Sequence, residues 1–487
     1  MNAKRSAPTA AADATAASAA DADASDGGCS SKRLRRAPEK AHWLTRLGAL
    51  GRIDWEKSVV LPDRELIIAT DCGGGIGPPS ALVELGVKCR HIFACESDPS
   101  SQQLLSSQAE PPERLFGSMI GRDRGCFCLV SGRWMPMPHE QPDIYISNAG
   151  VHGPNPDRFL AAVKYIMEHQ PRLVILEDLV VAGREDQNGN LPADSILALL
   201  SQAGDYEVDT FHVTASHFGL PQRRQRLYYV MISSQHLQRG DKEPLEKISE
   251  ALAQLRTVEP SVDAEDLLES LNFESQPSPK GSDKNVASLL GMSADASYLH
   301  RRLRHELRLP LDDMTYFQLA GAHLGRWLRT YREADVCQIH WLRAKSNKKE
   351  IRFVSVSQDA HRAAMSFTGE VPNLTPTTRL WSYRLQRVLG GREMLMLQGF
   401  KPDRWNLQNL SEASLTRVAG AAMTVHMIAA VLASALSCCH FPDAEHGPAP
   451  KRRPGRSRSI SLAELRSRYL AIRQRLSGLR RFSPLGV

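Results

Sequence analysis

Between residues 66 and 232, short apolar runs alternate with stretches of helical periodicity, and this alternation limits the fold more than any other feature of the chain. LIIAT (66–70), HIFAC (91–95), DIYIS (143–147), LVILE (173–177) and LYYVMI (227–232) read as buried strands. Residues 157–170 and 194–202 read as helices between them, each opened by an aspartate able to cap it, Asp157 and Asp194. Strand and helix in alternation predict an α/β fold: a parallel sheet covered by helices on both faces.

The first predicted strand runs into TDCGGGIGPPSALVELG, residues 70–86. Glycines at 73, 74, 75 and 77 permit a sharp turn and a close backbone approach to a ligand, and Pro78 and Pro79 are tolerable at a helix start. The second predicted strand ends in CESD, which puts Glu96 nineteen residues after Gly77. That offset suits an acid that accepts hydrogen bonds from ribose hydroxyls. Loop, strand and acid fit either a dinucleotide or S-adenosylmethionine.

Outside this region the chain is more varied. Residues 1–40 are rich in Ala, Asp, Ser and Thr without apolar periodicity and are expected to be disordered. Asp13, Asp21, Asp23 and Asp26 make this segment too acidic for a transit peptide. The net charge of +7 is mild, but its basic residues gather at 30–36 (SSKRLRR) and 451–459 (KRRPGRSRS), which points to nuclear import or nucleic-acid contact. No run of about 18 apolar residues is evident, so no membrane span is expected. Nine scattered cysteines suit a reducing compartment. Neither Cys126 with Cys128 nor Cys438-Cys439-His440 has zinc-site spacing, and no metal is expected. In the less regular stretch 236–375, Arg301, Arg302, Arg304 and other cations interleave with Trp327, Tyr331 and Trp341, a pattern suited to phosphates and bases. Ser461 and Glu464 form a capping box ahead of Leu462, Leu465, Tyr469, Ile472, Leu476 and Leu479, an amphipathic helix able to take a protein partner.

Downstream blocks choose between the nucleotide ligands. HFGLPQRRQRLYYVMI (217–232) places Gln222-x-Arg224-x-Arg226 directly before a strand, and LEDLV ends a strand at Glu177. GGREMLMLQGFKPDRW (390–405) and RVAGAAMTVHMIAAVLASAL (417–436) follow. In this order the blocks resemble the cytosine-5 DNA methyltransferase family, over residues 65–235 and 376–437. The resemblance implies a Rossmann-like sheet that binds S-adenosylmethionine, with a smaller target-recognition domain inserted. The expected organisation is a tail (1–40), a methyltransferase-like domain (41–235) with its C-terminal part at 376–437, an insert (236–375), and a basic tail with a helix (438–487). It implies that Gly74, Gly75 and Gly77 form the cofactor loop, with Cys72 at a position usually aromatic, and that Glu96 holds the ribose. Glu177 would contact the cytosine ring and help protonate N3, and Arg224 and Arg226 would steady the catalytic loop and target base. Gly420 would lie at the cofactor end of the last helix block, where Ala421 replaces the family's asparagine. DNA is the implied partner, with RNA open because the family fold also serves RNA.

One stretch departs from the family. DIYISNAGVHG (143–153) should run into Pro-Cys-Gln, whose thiolate adds to C6 of a flipped-out cytosine and makes C5 rich enough in electrons to take a methyl group. The cysteine position falls on Val151 and the glutamine position on His152. No cysteine occurs between Cys128 and Cys337. Some RNA cytosine methyltransferases carry the cysteine after the next strand, but that point reads Leu176-Glu177-Asp178. Only residues 151–156 separate strand from helix, which is short for the family's mobile loop. The leading expectation is a nuclear, nucleic-acid-associated pseudoenzyme whose cofactor fold survives with catalysis lost or weakened. The alternatives are an active DNA (cytosine-5)-methyltransferase with an unusual nucleophile or a loop truncated in the gene sequence, and an RNA cytosine methyltransferase.

Overall fold

The computed structural model describes residues 61–73, 76–108, 110–150, 156–180, 193–238, 243–256, 263–269, 301–309, 327–442 and 460–480. Nine strands form the main sheet: β1 (Leu66–Asp71), β2 (Cys89–Cys95), β3 (Leu115–Phe116), β4 (Cys126–Cys128), β5 (Arg133–Met135), β6 (Ile144–Ser147), β7 (Leu173–Leu179), β8 (Tyr206–Thr214) and β9 (Gln225–Ser233). Their order is β5-β4-β3-β2-β1-β6-β7-β9-β8. All five strands expected from the apolar runs are present. The sheet is parallel only from β3 through β2, β1 and β6 to β7. β9 runs antiparallel to both β7 and β8, and β4–β5 is a hairpin on the other edge. The reason is connection length: residues 215–224 are too few for the crossover that a parallel pair needs.

Alternation along the strands sends side chains to two cores. Leu66, Ile68, Ile144 and Ile146 face one side, where α1 (Gly77–Glu84) packs, while Ile67, Ala69 and Tyr145 face the other. α2 (Pro99–Ser106) follows β2, with Asp98 capping Ser101 N. The second face is covered by α3 (Pro156–His169) and α4 (Ala193–Leu200). Asp157 lies inside the first turn of α3 rather than ahead of it, and Asp194 likewise falls within α4, so neither is the cap residue.

The insert is displaced from its expected bounds of 236 and 375. α5 (Pro244–Leu255) buries Ile248, Leu252 and Leu255 in the first core of the main sheet. α6 (Ala264–Glu269) and α7 (Tyr331–Ser346) follow. Beyond 375, β12 (Leu380–Ser382) and β13 (Arg387–Val388) pair with β10 (Phe353–Ser355), which also pairs with β11 (Met365–Ser366), in a small antiparallel sheet. Its own core gathers Leu303, Ile339, Leu342, Val354 and Trp381. Trp327 and Trp341 lie half-buried against that core, so these rings stabilise the small domain rather than standing open to bases. Arg304 is fully buried and is no phosphate contact, whereas Arg301 and Arg302 are exposed, Arg302 paired with Glu306 at 2.8 Å. The side chain of Tyr331 and the tails 1–40 and 443–459 lie outside the described residues.

The chain then returns through α8 (Gly391–Leu397), α9 (Glu412–Ala421) and α10 (Val425–Leu436). Residues 412–436 are apolar enough to cross a membrane by length and composition, contrary to the sequence expectation. They form two helices broken at 422–424, and 89% of the most apolar window is buried inside the fold. In α10 every residue but His426 is buried, as a central core helix requires. Finally α11 (Leu462–Arg480) starts at the expected capping box, with Ser461 Oγ accepting from Glu464 N at 3.1 Å. Its Leu465 and Tyr469 are buried on the α3–α4 side of the sheet. Over its described side chains the apolar stripe packs within the chain; Leu476 and Leu479 lie outside that range.

Candidate active site

β1 lies between β2 and β6, where the strand order reverses, and the carboxyl ends of such strands frame the ligand crevice of open α/β sheets. Past β1, Cys72 and Gly73 both adopt positive φ, 47° and 72°. A Cβ on Gly73 would stand 2.9 Å from the Ala421 carbonyl oxygen, so only glycine suits both its dihedral and its space. Gly77 has a different reason to be glycine: a Cβ there would meet the Met423 carbonyl oxygen at 2.6 Å. The loop and the start of α1 thus rest on residues 421–423, and Pro78 and Pro79 occupy the first turn of α1. Gly74 and Gly75 lie outside the described residues.

Glu96 follows β2 and is 5% exposed. Its Oε2 accepts from Gly73 N at 2.7 Å, and its Oε1 accepts from Ser97 N at 2.8 Å and Asp98 N at 3.1 Å. Burial raises its pKa, and these amide bonds oppose the rise. The acid therefore pins the glycine loop to the end of β2. Cys72 places Sγ 3.2 Å from Met119 Sδ. Its thiol is pushed up to about 12 by burial, then by Asp71 and Glu96.

A buried cluster beneath the loop was not legible in the sequence. Arg122 Nη1 donates to both carboxylate oxygens of Asp71, at 2.5 and 2.6 Å, and Tyr145 Oη also donates to Asp71. Burial works against the Arg122 charge, but Asp71 and Tyr145 outweigh it and hold the guanidinium above its ordinary range. Arg122 lies 51 residues from Asp71, and no local pattern signals the pairing.

At the other half of the crevice, pairing of β7 with β9 sets Glu177 opposite Tyr228. Glu177 is fully buried; its Oε2 accepts from Tyr228 Oη at 2.6 Å, and its Oε1 stands 3.4 Å from Arg226 Nε and 3.9 Å from Arg224 Nη2. The structure therefore brings Glu177 and Arg226 together, with Tyr228 as a partner the sequence did not name. Arg224 turns elsewhere. Its Nη1 donates to Leu374 O at 2.9 Å and its Nη2 to Ala422 O at 3.0 Å. Burial, then Arg226, lowers its pKa to about 10. Gln222 Nε2 donates to Leu397 O at 3.0 Å, and Gln398 bridges Ala419 O and Thr424 Oγ1, both at 2.7 Å. These motif residues tie β9 to the returning C-terminal helices. Gly420 has a packing reason to be glycine, since a Cβ would stand 2.0 Å from Thr375 C.

After β6, Asn148 N donates to Asp71 O at 3.2 Å, and a Cβ on Gly150 would collide with Asp178 Oδ1 at 2.3 Å. Val151 and His152 lie outside the described residues. No cluster of three or more metal-ligating side chains occurs among the described residues.

The family model of C-5 cytosine-specific DNA methylases matches residues 146–437. The DNA (cytosine-5-)-methyltransferase DMT5 of Cryptococcus neoformans var. grubii is 25% identical, in an alignment covering 78% of this chain and 17% of the relative. The chain thus spans about a sixth of that relative's length. The structure of the S. pombe Dnmt2 methyltransferase aligns with a TM-score of 0.42 and 12% identity, over 76% of this chain and 98% of that one. With the match running from β6 past Glu177, Arg224 and Arg226 to the end of α10, over more than half of the chain, the chain belongs to the C-5 cytosine-specific DNA methylase family, whose cofactor is S-adenosylmethionine.

Proposed function

We propose that this chain binds S-adenosylmethionine and DNA while methyl transfer to cytosine is lost or severely weakened. One contrast carries the reading. The acids Glu96 and Glu177 are held at the carboxyl ends of β2 and β7, yet the nucleophile position is Val151, which has no lone pair to add to C6.

The residues fit the cofactor. A carboxylate offers about four lone-pair sites. Backbone amides fill three of those on Glu96, which leaves capacity for a ribose hydroxyl. When bound, S-adenosylmethionine supplies an electrophilic methyl group. Glu177, oriented by Tyr228 and balanced by Arg226, would meet the cytosine N3 in this reading, while Arg224 holds the framework behind it. Neither thiol at this end of the sheet replaces the missing one. Cys72 is pushed up to about 12, and Cys95 is also raised well above its ordinary value, chiefly by burial, so both stay protonated at neutral pH.

DNA contact is assigned to the exposed cations of the small domain, Arg301, Lys345, Lys348 and Lys349. Nuclear residence follows from the basic runs 32–36 and 451–458. In the deciding experiment, S-adenosylhomocysteine binds in calorimetry, while the purified chain transfers no labelled methyl group to cytosine in duplex DNA. Val151→Cys alone does not restore normal activity, because residues 151–156 form too short a loop to position it. Robust transfer by the unmodified chain would overturn the reading.

A further inference from the structure

A cavity of about 550 Å³ lies on the α3 face of the sheet, and Ser461, which caps α11, and Leu462, its first residue, form part of its wall. None of Gly73, Glu96, Asn148 and Glu177 lines it, so it is separate from the crevice described above. Its apolar walls include Met137 and Pro138, and Tyr165 in its lining stacks on His169 with ring centroids 4.2 Å apart.

Two lining residues carry buried polar atoms without a partner among the described residues. These are Arg122 Nη2 and Tyr165 Oη, on residues 5% and 3% exposed. Arg122 commits Nη1 to Asp71, and its guanidinium lies over the Tyr165 ring at 4.6 Å, so Nη2 has a fixed place. A buried donor of this kind calls for an acceptor. Arg124 and His139 line the same cavity, are exposed, and have no ion-pair partner among the described residues. Lys164 adds a cation, with Glu168 3.7 Å away as its counterion. Ser461 Oγ already caps Glu464 N, while the amides of Leu462 and Ala463 have no acceptor within the helix and place the positive end of its dipole at the cavity.

We propose that this cavity is a binding site for a phosphate-type anion. The phosphoryl group has two sources. It belongs to a free small molecule, or to Ser461 itself, which is exposed and follows Arg456 and Arg458. In the second case a kinase moves the γ-phosphoryl group of ATP to Ser461 Oγ, the hydroxyl proton leaves, and ADP departs.

The test uses the full chain and inorganic phosphate, titrated against sodium chloride at matched ionic strength, with thermal unfolding as the readout. A saturable rise in melting temperature with phosphate but not with chloride is expected. The double variant Arg124→Ala/His139→Ala should weaken that response at least tenfold while keeping the phosphate-free melting temperature. Chain phosphorylated at Ser461 should melt higher than unphosphorylated chain and lose the response to added phosphate if Ser461 supplies the group; a response retained on phosphorylated chain but lost in the double variant assigns the site to a free anion. Equal effects of phosphate and chloride, an unchanged response in the double variant, or loss of the response on adding S-adenosylhomocysteine would each overturn the proposal, the last by making the cavity part of the cofactor site.

Discussion

Arg224→Met should cost stability before it costs chemistry. Arg224 is 1% exposed and donates to two carbonyls from separate segments, Leu374 O at 2.9 Å and Ala422 O at 3.0 Å. Methionine refills much of the volume but donates to neither. Two buried carbonyls left without donors cost about 1–3 kcal/mol each, or about 2–6 together. Removing a desolvated cation, whose Nε already lacks a hydrogen-bond partner, returns part of this. The net expectation is a loss of about 2–4 kcal/mol. Urea unfolding followed by tryptophan fluorescence measures it, with S-adenosylhomocysteine affinity measured in parallel. Arg226→Met tests a different contact, because Arg226 meets the buried Glu177 carboxylate at 3.4 Å and donates to no backbone carbonyl of a distant segment. A stability for Arg224→Met within about 1 kcal/mol of wild type would refute the clamp and return Arg224 to a role at the target base.

Glu96→Ala should weaken S-adenosylhomocysteine binding by about 1.5–3 kcal/mol in calorimetry, because a charged acceptor is lost and Gly73 N is left without its partner; unchanged affinity would remove Glu96 from the cofactor site. Acid should destabilise the fold through His91, His340 and His426, each lowered to about 4 by burial. An unfolded histidine titrates near 6.5, so the unfolded chain binds more protons between those values. Stability is then full above about 6.5 and falls toward pH 4, by up to about 1.4 kcal/mol per pH unit for each histidine; His340→Gln should flatten that dependence in urea titrations run across the window. DNA affinity of protein lacking residues 1–40 and with the basic residues of 451–458 replaced by alanine should fall with salt, at a log–log slope of about −0.9 per phosphate contacted. Replacing Arg301, Lys348 and Lys349 by alanine should reduce the slope, and salt-independent binding by the trimmed protein would rule out the small domain as the contact. Deleting residues 32–36 and 451–458 together should shift a fluorescent fusion to the cytoplasm, and unchanged nuclear retention would place the signal elsewhere.

The main strands were legible because each is a short apolar run bounded by polar or glycine-rich turns, as β1 before Cys72 and β6 before Asn148 illustrate. β8 was not, because its residues 206–214 alternate with charges on an edge strand and never form a continuous apolar run. The insert was misplaced for a related reason. The amphipathic pattern of α5 fits a helix on any core, and nothing local says that it packs on the main sheet.

The sequence by itself determined that this chain builds an α/β sheet, that a glycine loop and an acid stand at its switch point, and that Val151 stands where the family resemblance expects a cysteine. These depend on period, spacing and residue identity, which are local properties of a chain. Only the tertiary structure decided that Arg224 is a clamp while Arg226 faces Glu177, that Gly77 and Gly420 are needed for backbone packing, and that Arg122 reaches Asp71 beneath the loop. Each of those outcomes joins segments from 45 to 346 residues apart, where the partner is chosen by how strands and helices stack rather than by what lies beside it in sequence.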